Sequence, residues 1–165
     1  MDNVILIGMP GSGKSTVGVL LAKLLGYAFS DSDLLIQQCA GKRLFEILRD
    51  DGADTFARLE EEVNAGLDVH RTVIATGGSV VYSSRAMAHL RSIGTVVYLK
   101  VSEQELIRRI GDFSRRGILF REGETFSDLY RERTGLYARY ADVAVSCEEP
   151  ELLQSAEKIV SALGL

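Results

Sequence analysis

The chain has 165 residues, a length that suits one domain with a hydrophobic core of its own. Apolar residues make up 46% of it and charged residues 25%, which is the balance of a globular protein and excludes a disordered or fibrous chain. The formal net charge is −4 and no basic stripe stands out, so we do not expect general nucleic-acid binding. Arginines do cluster locally, which suits a small anionic ligand; they are Arg108, Arg109, Arg115, Arg116, Arg121, Arg131 and Arg133.

Cysteine use and apolar runs bear on the compartment. Cys39 and Cys147 are far apart and form no C-x-x-C pair, which predicts small buried residues in a reducing compartment. The first glycine-rich segment follows the N-terminus within a few residues, so no signal peptide is expected. No apolar run approaches the roughly 18 residues of a membrane span. We therefore expect a cytoplasmic monomer that binds neither membranes nor nucleic acid.

A glycine-rich motif near the N-terminus carries the strongest chemical signal. The apolar run at residues 4–7 leads into Gly-x-x-x-x-Gly-Lys-Ser at residues 8–15, and helical apolar spacing follows from Val17. Glycines in this order let successive backbone N–H groups point inward, where they and the positive end of a helix bind polyphosphate. Lys14 would reach the β- and γ-phosphates and the Ser15 hydroxyl would bind Mg²⁺. A chance glycine-rich turn is the alternative, but the strand–loop–helix context favours a P-loop.

Strand and helix patterns alternate along the whole chain. Strands are predicted at residues 4–7, 27–30, 72–76, 95–99 and 142–146. Helices are predicted around residues 17–24, 34–39, 44–48, 53–67, 83–91, 103–110, 126–140 and 152–163. This alternation implies a single α/β domain with a parallel sheet between helix layers. The fourth helix is expected to bury Phe56, Leu59 and Val63, and the run of glutamates at residues 60–62 is expected to be mostly solvated.

Three polar motifs directly follow predicted strands. They are the P-loop, Asp31-Ser32-Asp33 and Gly77-Gly78-Ser79. Because ligands of parallel sheets bind beyond the carboxyl ends of the strands, the three motifs predict one site. Phosphoryl transfer to an alcohol needs one carboxylate near the metal and one near the acceptor hydroxyl, and Asp31 and Asp33 suit these roles. Capping of the next helix is the alternative reading of this pair and is compatible with catalysis.

With these motifs in place, essentially the whole chain resembles the shikimate kinase family of small P-loop kinases. The matching elements are residues 8–15, Asp31-Ser32-Asp33, Gly77-Gly78-Ser79, Arg116-Gly117-Ile118-Leu119 and Arg133-Thr134-Gly135-Leu136-Tyr137. The resemblance implies a three-layer P-loop kinase sandwich whose five parallel strands have the adenylate-kinase-like order 2-3-1-4-5. It also implies a mobile lid at about residues 111–124, a stretch with three glycines and weak periodicity.

The resemblance implies roles for individual residues. Asp33 would hold and activate the acceptor hydroxyl, Asp31 would support Mg²⁺ together with Ser15, and Arg116 would cap the transferring phosphate. Lys14, Asp33 and Arg116 are thus the catalytic candidates. The candidates for binding ATP are Gly11, Ser12, Gly13, Lys14, Ser15, Thr16, Arg109, Arg116 and Pro150. The candidates for binding the acceptor are Asp33, Arg58, Gly77, Gly78, Ser79 and Arg133, the last of which would bind a carboxylate.

The chain departs from the family pattern at the acceptor pocket. Family members have a Phe-Arg whose arginine pairs with the acceptor carboxylate and with a nearby Glu, which Glu60 matches. Here Phe56 is followed by Ala57, and Arg58 is rotated from that position by about 100° on a helix. Ser79 ends the glycine triplet with a side chain. Gly117 and Gly135 stand where prolines are usual.

Three hypotheses follow. The first is a kinase that transfers the γ-phosphate of ATP to a hydroxyl of a carboxylated metabolite, with shikimate as the acceptor that the resemblance favours. The second keeps the chemistry but changes the acceptor to homoserine or a sugar acid, because Ala57 and Ser79 reshape the pocket. The third is a module that binds ATP without turnover.

Overall fold

The fold is that of an α/β sandwich in a computed structural model that describes residues 3–111, 118 and 120–165. Its strands are β1 (Asn3–Ile7), β2 (Ala28–Asp31), β3 (Thr72–Ala75), β4 (Gly94–Lys100) and β5 (Val143–Ser146). Its helices are α1 (Lys14–Leu25), α2 (Ser32–Ala40), α3 (Leu44–Asp50), α4 (Ala53–Ala65), α5 (Ser84–Ile93), α6 (Glu103–Ile110), α7 (Phe126–Tyr140) and α8 (Leu152–Leu163). A short 3₁₀ helix (Val80–Tyr82) precedes α5.

The five strands form one parallel sheet in the order β2-β3-β1-β4-β5, which confirms the predicted class and strand order. Every residue of β1 is buried, because this strand lies in the middle of the sheet with helices on both sides. Helix α1 packs against α8, and α4 packs against α5, which gives the helix layers of the sandwich. The central strand therefore delivers the P-loop to the middle of one sheet edge.

Buried Asn3 shows how the opposite edge of the sheet is fixed. Its Nδ2 donates to the carbonyl oxygens of Val69 and Ile93 at 2.8 and 2.9 Å, and its Oδ1 accepts from the Thr72 N–H at 3.0 Å. One amide side chain thus makes hydrogen bonds with backbone groups at the start of β3 and just before β4, the two strands that flank β1. The strand begins one residue earlier than predicted because this polar residue is buried through its hydrogen bonds.

Two sequence expectations about burial are wrong. In α4 the most buried residues are Glu60 and Asn64, whereas Phe56, Leu59 and Val63 are only half-buried. The buried face of α4 is polar because Glu60 accepts a hydrogen bond from the Ser79 hydroxyl, which follows β3. Cys39 is exposed near the end of α2, while Cys147 is buried as expected.

The helices of the described residues are also informative about membranes. Among residues 3–111, 118 and 120–165, none is both long enough and apolar enough to cross a bilayer.

Candidate active site

A cavity of about 1130 Å³ opens where β1, β2 and β3 end. The segments that follow these strands line it, together with parts of α4, α6 and α7. The structure thereby brings together the three motifs that the sequence placed at one sheet edge. The lining includes Gly11, Gly13, Lys14, Ser15, Thr16, Asp33, Gly77, Gly78, Ser79, Arg109, Arg133 and Pro150 from the predicted site.

The P-loop adopts a conformation that depends on its glycines. Gly11 and Gly13 have φ angles of 82° and 91°, in a region that other residues rarely occupy. Gly13 is also the residue that precedes the first turn of α1, so the N-terminus of this helix opens at the cavity. Ser12, within the loop, is fully buried. This geometry is that of an anion-binding turn at a helix N-terminus.

Lys14 is held by the loop itself. Its ammonium group donates to the carbonyl oxygens of Gly8 and Met9, each at 2.8 Å, and only 8% of the residue is exposed. The side chain also lines the cavity. Lys14 therefore has a structural contact with the loop besides the position from which it would meet phosphate oxygens.

Asp31 divides its two carboxylate oxygens between two tasks. Oδ1 accepts the Asp33 backbone N–H at 3.0 Å and so caps α2, while Oδ2 accepts the Ser15 hydroxyl at 2.6 Å. The capping reading of this motif is therefore confirmed. The Ser15–Asp31 pair at the cavity edge also supplies a hydroxyl and a carboxylate, which are oxygen ligands that suit Mg²⁺.

Asp33 lies in the first turn of α2, half-buried and facing the cavity. Burial raises the pKa of its carboxyl above the usual range, and the charge of Asp31 adds to this effect while Lys14 opposes it. A carboxylate with a raised pKa is a better proton acceptor than an exposed one. Its position next to the P-loop suits the role of a base for an acceptor hydroxyl.

The glycines after β3 are required by close neighbours. A Cβ on Gly77 would lie 2.7 Å from Glu60 Oε2 and 2.8 Å from Asp33 Oδ1. A Cβ on Gly78 would lie 2.8 Å from Pro10 Cδ and 3.1 Å from an Arg133 guanidinium nitrogen. Bare backbone here lets the two acid groups lie against Gly77 and the Arg133 guanidinium lie against Gly78.

Glu60 is buried at the cavity wall, so the solvated interpretation of the glutamate run at residues 60–62 is wrong at this position, whereas the match of Glu60 to the family's glutamate agrees with it. Only 4% of Glu60 is exposed, and its Oε1 accepts the Ser79 hydroxyl at 2.6 Å. Burial raises the pKa of this carboxyl to about 7; the Ser79 hydrogen bond and Arg133 lower it, and Asp33 raises it further. The only sequence signal for this role is the match of Glu60 to the family's glutamate.

The raised pKa of Glu60 predicts a pH-dependent stability. Between about pH 4.5 and 7 the folded protein keeps a proton on Glu60 that the unfolded chain releases, so Glu60 lowers the free energy of unfolding as pH rises through this window. We expect Glu60→Gln to gain stability relative to the wild type by about 2.5 kcal/mol between pH 5 and pH 8. Urea unfolding at both pH values measures this, with Glu62→Gln on the exposed side of α4 as control. An equal difference at both pH values would contradict it.

Arg133 is the cation that faces the acceptor side of the cavity. It is 7% exposed on α7, and its guanidinium lies 5.5 Å from the centroid of the Tyr82 ring. Its Nε has no hydrogen-bond partner among the described residues. Tyr137, one turn later, donates its hydroxyl to the Gly78 carbonyl at 2.6 Å and ties α7 to the glycine segment. A buried guanidinium whose Nε lacks a partner among the described residues suits a carboxylate ligand.

The structure does not bring Arg58 to the cavity. Ala57 lines the cavity, whereas Arg58 is exposed on the next position of α4. The turn of about 100° between successive helix positions accounts for the difference. Arg133 is thus the predicted acceptor-side arginine that the described structure places at the cavity wall.

The cavity lining also includes residues that were expected near adenine. Arg109 pairs with Glu105 at 2.7 Å and donates to the Cys147 carbonyl at 3.0 Å, and Pro150 and Leu152 line the wall beside it. Ile118, Phe120, Arg121 and Glu124 from the predicted lid line the cavity as well. Arg116 lies outside the described residues.

The sheet order, the P-loop and the paired aspartates together define a P-loop kinase for a small molecule. The family model for shikimate kinase matches residues 10–164. The chain is 41% identical over 165 residues to the shikimate kinase of Synechococcus sp. (strain RCC307), covering 98% of this chain and 84% of the relative. It is 43% identical over 144 residues to that of Mycobacterium avium (strain 104), covering 86% and 81%.

A solved structure agrees with these relatives. The shikimate kinase from Acinetobacter baumannii in complex with shikimate superposes with a TM-score of 0.90 at 29% identity, covering 99% of this chain and 93% of that one. This chain therefore belongs to the shikimate kinase family. It is an ATP-dependent phosphotransferase that acts on a hydroxyl group. This membership argues against the third hypothesis, a module that binds ATP without turnover.

Proposed function

We propose that this protein transfers the γ-phosphate of ATP to the 3-hydroxyl of shikimate. The observation that carries the proposal is the convergence of Lys14, Asp33 and Arg133 on one cavity at the sheet edge. These groups supply a cation for phosphate, a base for a hydroxyl and a cation for a carboxylate. The relatives at about 40% identity and the neighbour bound to shikimate support the same acceptor.

In the proposed reaction each residue acts on a defined group. Arg133 binds the acceptor carboxylate and orients the ring, and Asp33 accepts the proton of the reacting hydroxyl as the bond to phosphorus forms. Lys14 and the P-loop N–H groups stabilise the charge on the transferring phosphate. Ser15 and Asp31 would hold Mg²⁺, which when bound neutralises charge on the β- and γ-phosphate oxygens. Arg109 and Pro150 would border the adenine.

The lid remains part of the proposal. Residues 111–124 would close over bound substrates and place Arg116 on the transferring phosphate, which excludes water from the reaction. We expect amide hydrogen exchange in this stretch to slow when ATP analogue and acceptor bind together. Equal exchange with and without both ligands would argue against a lid. We also propose that residues 1–165 form a single domain that acts as a cytoplasmic monomer.

A second acceptor is favoured by one observation, namely Ala57 at the cavity wall where the family resemblance implies an arginine. One arginine, Arg133, would bind the shikimate carboxylate more weakly than two arginines would. Homoserine or a sugar acid is therefore the second candidate acceptor. A coupled ADP-release assay with shikimate, homoserine and several sugar acids separates these readings. We expect the highest kcat/KM with shikimate.

The Ala57→Arg variant sharpens that comparison. If shikimate is the natural acceptor, the added guanidinium supplies a second contact to its carboxylate, and we expect kcat/KM for shikimate to rise through a lower KM. Ala57→Leu is the control for added bulk without charge. Clear turnover of another hydroxy acid by the wild type, with none of shikimate, would overturn the proposed function.

A further inference from the structure

An arginine of the predicted lid lines the same cavity as Arg133. Arg121 borders the cavity with a side chain that is 72% exposed. Its backbone N–H donates to Glu124 Oε2 at 2.9 Å, and its carbonyl oxygen accepts the Glu124 N–H at 2.9 Å, so a turn fixes the backbone at this position. The long, exposed side chain can change its rotamer without moving that turn.

The contacts of Arg121 place it on the acceptor side of the cavity. Its Nη1 pairs with both carboxylate oxygens of Glu132, at 3.4 and 3.5 Å. Glu132 directly precedes Arg133 on α7, and its Oε2 accepts the Tyr82 hydroxyl at 3.3 Å. The Tyr82 ring centroid in turn lies 5.5 Å from the Arg133 guanidinium. Arg121 is therefore joined through Glu132 and Tyr82 to the wall that carries the acceptor-side arginine.

The ion pair between Arg121 and Glu132 is one that a ligand can replace. Its N···O distances are longer than the roughly 2.7–3.2 Å of a good N–H···O hydrogen bond. The two side chains are 72% and 38% exposed, so water screens their attraction and the pair has small energetic value. A carboxylate bound in the cavity offers the guanidinium the same kind of partner in a less hydrated place, where a charge-assisted hydrogen bond is stronger.

The acceptor side of the cavity lacks one cation that the family resemblance implies. Ala57 lines the wall at the position of that arginine. Two other arginines of the cavity lining, Arg108 and Arg109, are engaged by Glu105 at 2.6 and 2.7 Å. Arg121, with its longer and more exposed pair, is the cavity arginine that can turn to a second carboxylate at the smallest cost.

We propose that Arg121 is a specificity-determining residue that exchanges Glu132 for the carboxylate of the acceptor and so supplies, together with Arg133, the second cation that position 57 lacks. The inference rests on the proposed function in requiring a carboxylated acceptor. The carboxylate then receives one guanidinium from α7 and one from the segment that precedes α7.

The test compares shikimate with its methyl ester, which keeps the hydroxyls but has no negative charge. We expect Arg121→Ala to raise KM for shikimate about 5- to 30-fold with kcat changed less than about threefold, and to leave KM for the ester within about twofold. Arg121→Lys keeps the charge but not the planar fork, so its KM should lie between the two. Arg91→Ala removes an exposed arginine from a 3.5 Å pair with Asp142 and is the matched control, with wild-type kinetics expected.

A double variant distinguishes ligand binding from a structural role. Ala57→Arg in the Arg121→Ala protein returns a guanidinium to the acceptor side, and we expect KM for shikimate to come back to within about threefold of the wild type. Ala57→Leu in the same background adds bulk without charge and should not rescue. Equal losses with shikimate and the ester, or a higher KM for ATP in place of the acceptor, would overturn the proposal.

Glu132→Gln tests the exchange itself. The amide removes the carboxylate that competes with the ligand for Arg121, so we expect KM for shikimate to fall about two- to threefold. The ester should show no such gain. An unchanged or higher KM for shikimate in this variant would overturn the exchange.

Calorimetric titration separates this proposal from the proposed function. A wild-type protein that binds shikimate but transfers no phosphate to it would refute the proposed function, and the Kd values of Arg121→Ala for shikimate and its ester would then decide the role of Arg121. If the wild type turns over another hydroxy acid instead, that acid and its methyl ester take the place of the shikimate pair. Absence of binding with every carboxylated acceptor would overturn both.

Discussion

Lys14→Ala is expected to abolish detectable phosphoryl transfer, a loss of at least about 10³-fold in kcat. Lys14 is the lysine of the P-loop motif and lines the cavity at the N-terminus of α1, where the transferring phosphate is proposed to bind. Without its ammonium group the charge that spreads over the β- and γ-phosphate oxygens loses its lysine partner. The coupled ADP-release assay with ATP and shikimate measures the effect.

The same variant has a structural consequence that must be separated from catalysis. The Lys14 ammonium donates to the Gly8 and Met9 carbonyl oxygens, so its removal should cost about 1–3 kcal/mol of stability. Thermal unfolding and circular dichroism will show whether the variant is folded at the assay temperature. Lys23→Ala, exposed at the end of the same helix, is the matched control and should be fully active. Turnover like that of the wild type by folded Lys14→Ala would refute the P-loop assignment.

Asp33→Asn is expected to lower kcat about 10²- to 10⁴-fold while the affinity for ATP changes little. The amide keeps the size of the side chain but cannot accept the proton of the acceptor hydroxyl. Because burial raises the pKa of Asp33, we also expect the wild-type kcat to fall on the acid side at a higher pH than an exposed aspartate would cause. Steady-state kinetics across pH measures both effects.

The matched control for this substitution is Asp50→Asn. Asp50 is exposed on α3 and its pairing with Arg49 is a surface ion pair of small energetic value. We expect Asp50→Asn to leave kcat and the pH profile of kcat unchanged. A kcat for Asp33→Asn within a few-fold of the wild type would exclude Asp33 as the base.

The parts of the fold that the sequence predicted are those fixed by local chemistry. The apolar run of β1, the glycines of the P-loop and the helical spacing from Val17 are contiguous, so strand, loop and helix could be assigned together. Asp31 could be recognised as a cap because capping involves residues only two or three positions apart. The strand order came from the family resemblance, and the structure confirms it.

The parts that could not be predicted depend on contacts between distant positions. The α4 pattern alone predicts an apolar inner face, whereas Glu60 is buried with its Oε1 accepting a hydrogen bond from the Ser79 hydroxyl, nineteen positions away. The bond from the Tyr137 hydroxyl to the Gly78 carbonyl joins α7 to the glycine segment across 59 positions. Nothing in the sequence indicates that these residues pair, so the hydrogen bonds are identified from the folded structure.

The central claim is that this protein phosphorylates shikimate, and the identity of the product tests it most directly. The wild-type protein is incubated with ATP, Mg²⁺ and shikimate, and the products are analysed by mass spectrometry and by phosphorus and proton nuclear magnetic resonance. We expect one phosphorylated shikimate, with the phosphate on the 3-hydroxyl, for each ADP released. ADP release at the same rate with and without shikimate, with no phosphorylated shikimate formed, would contradict it.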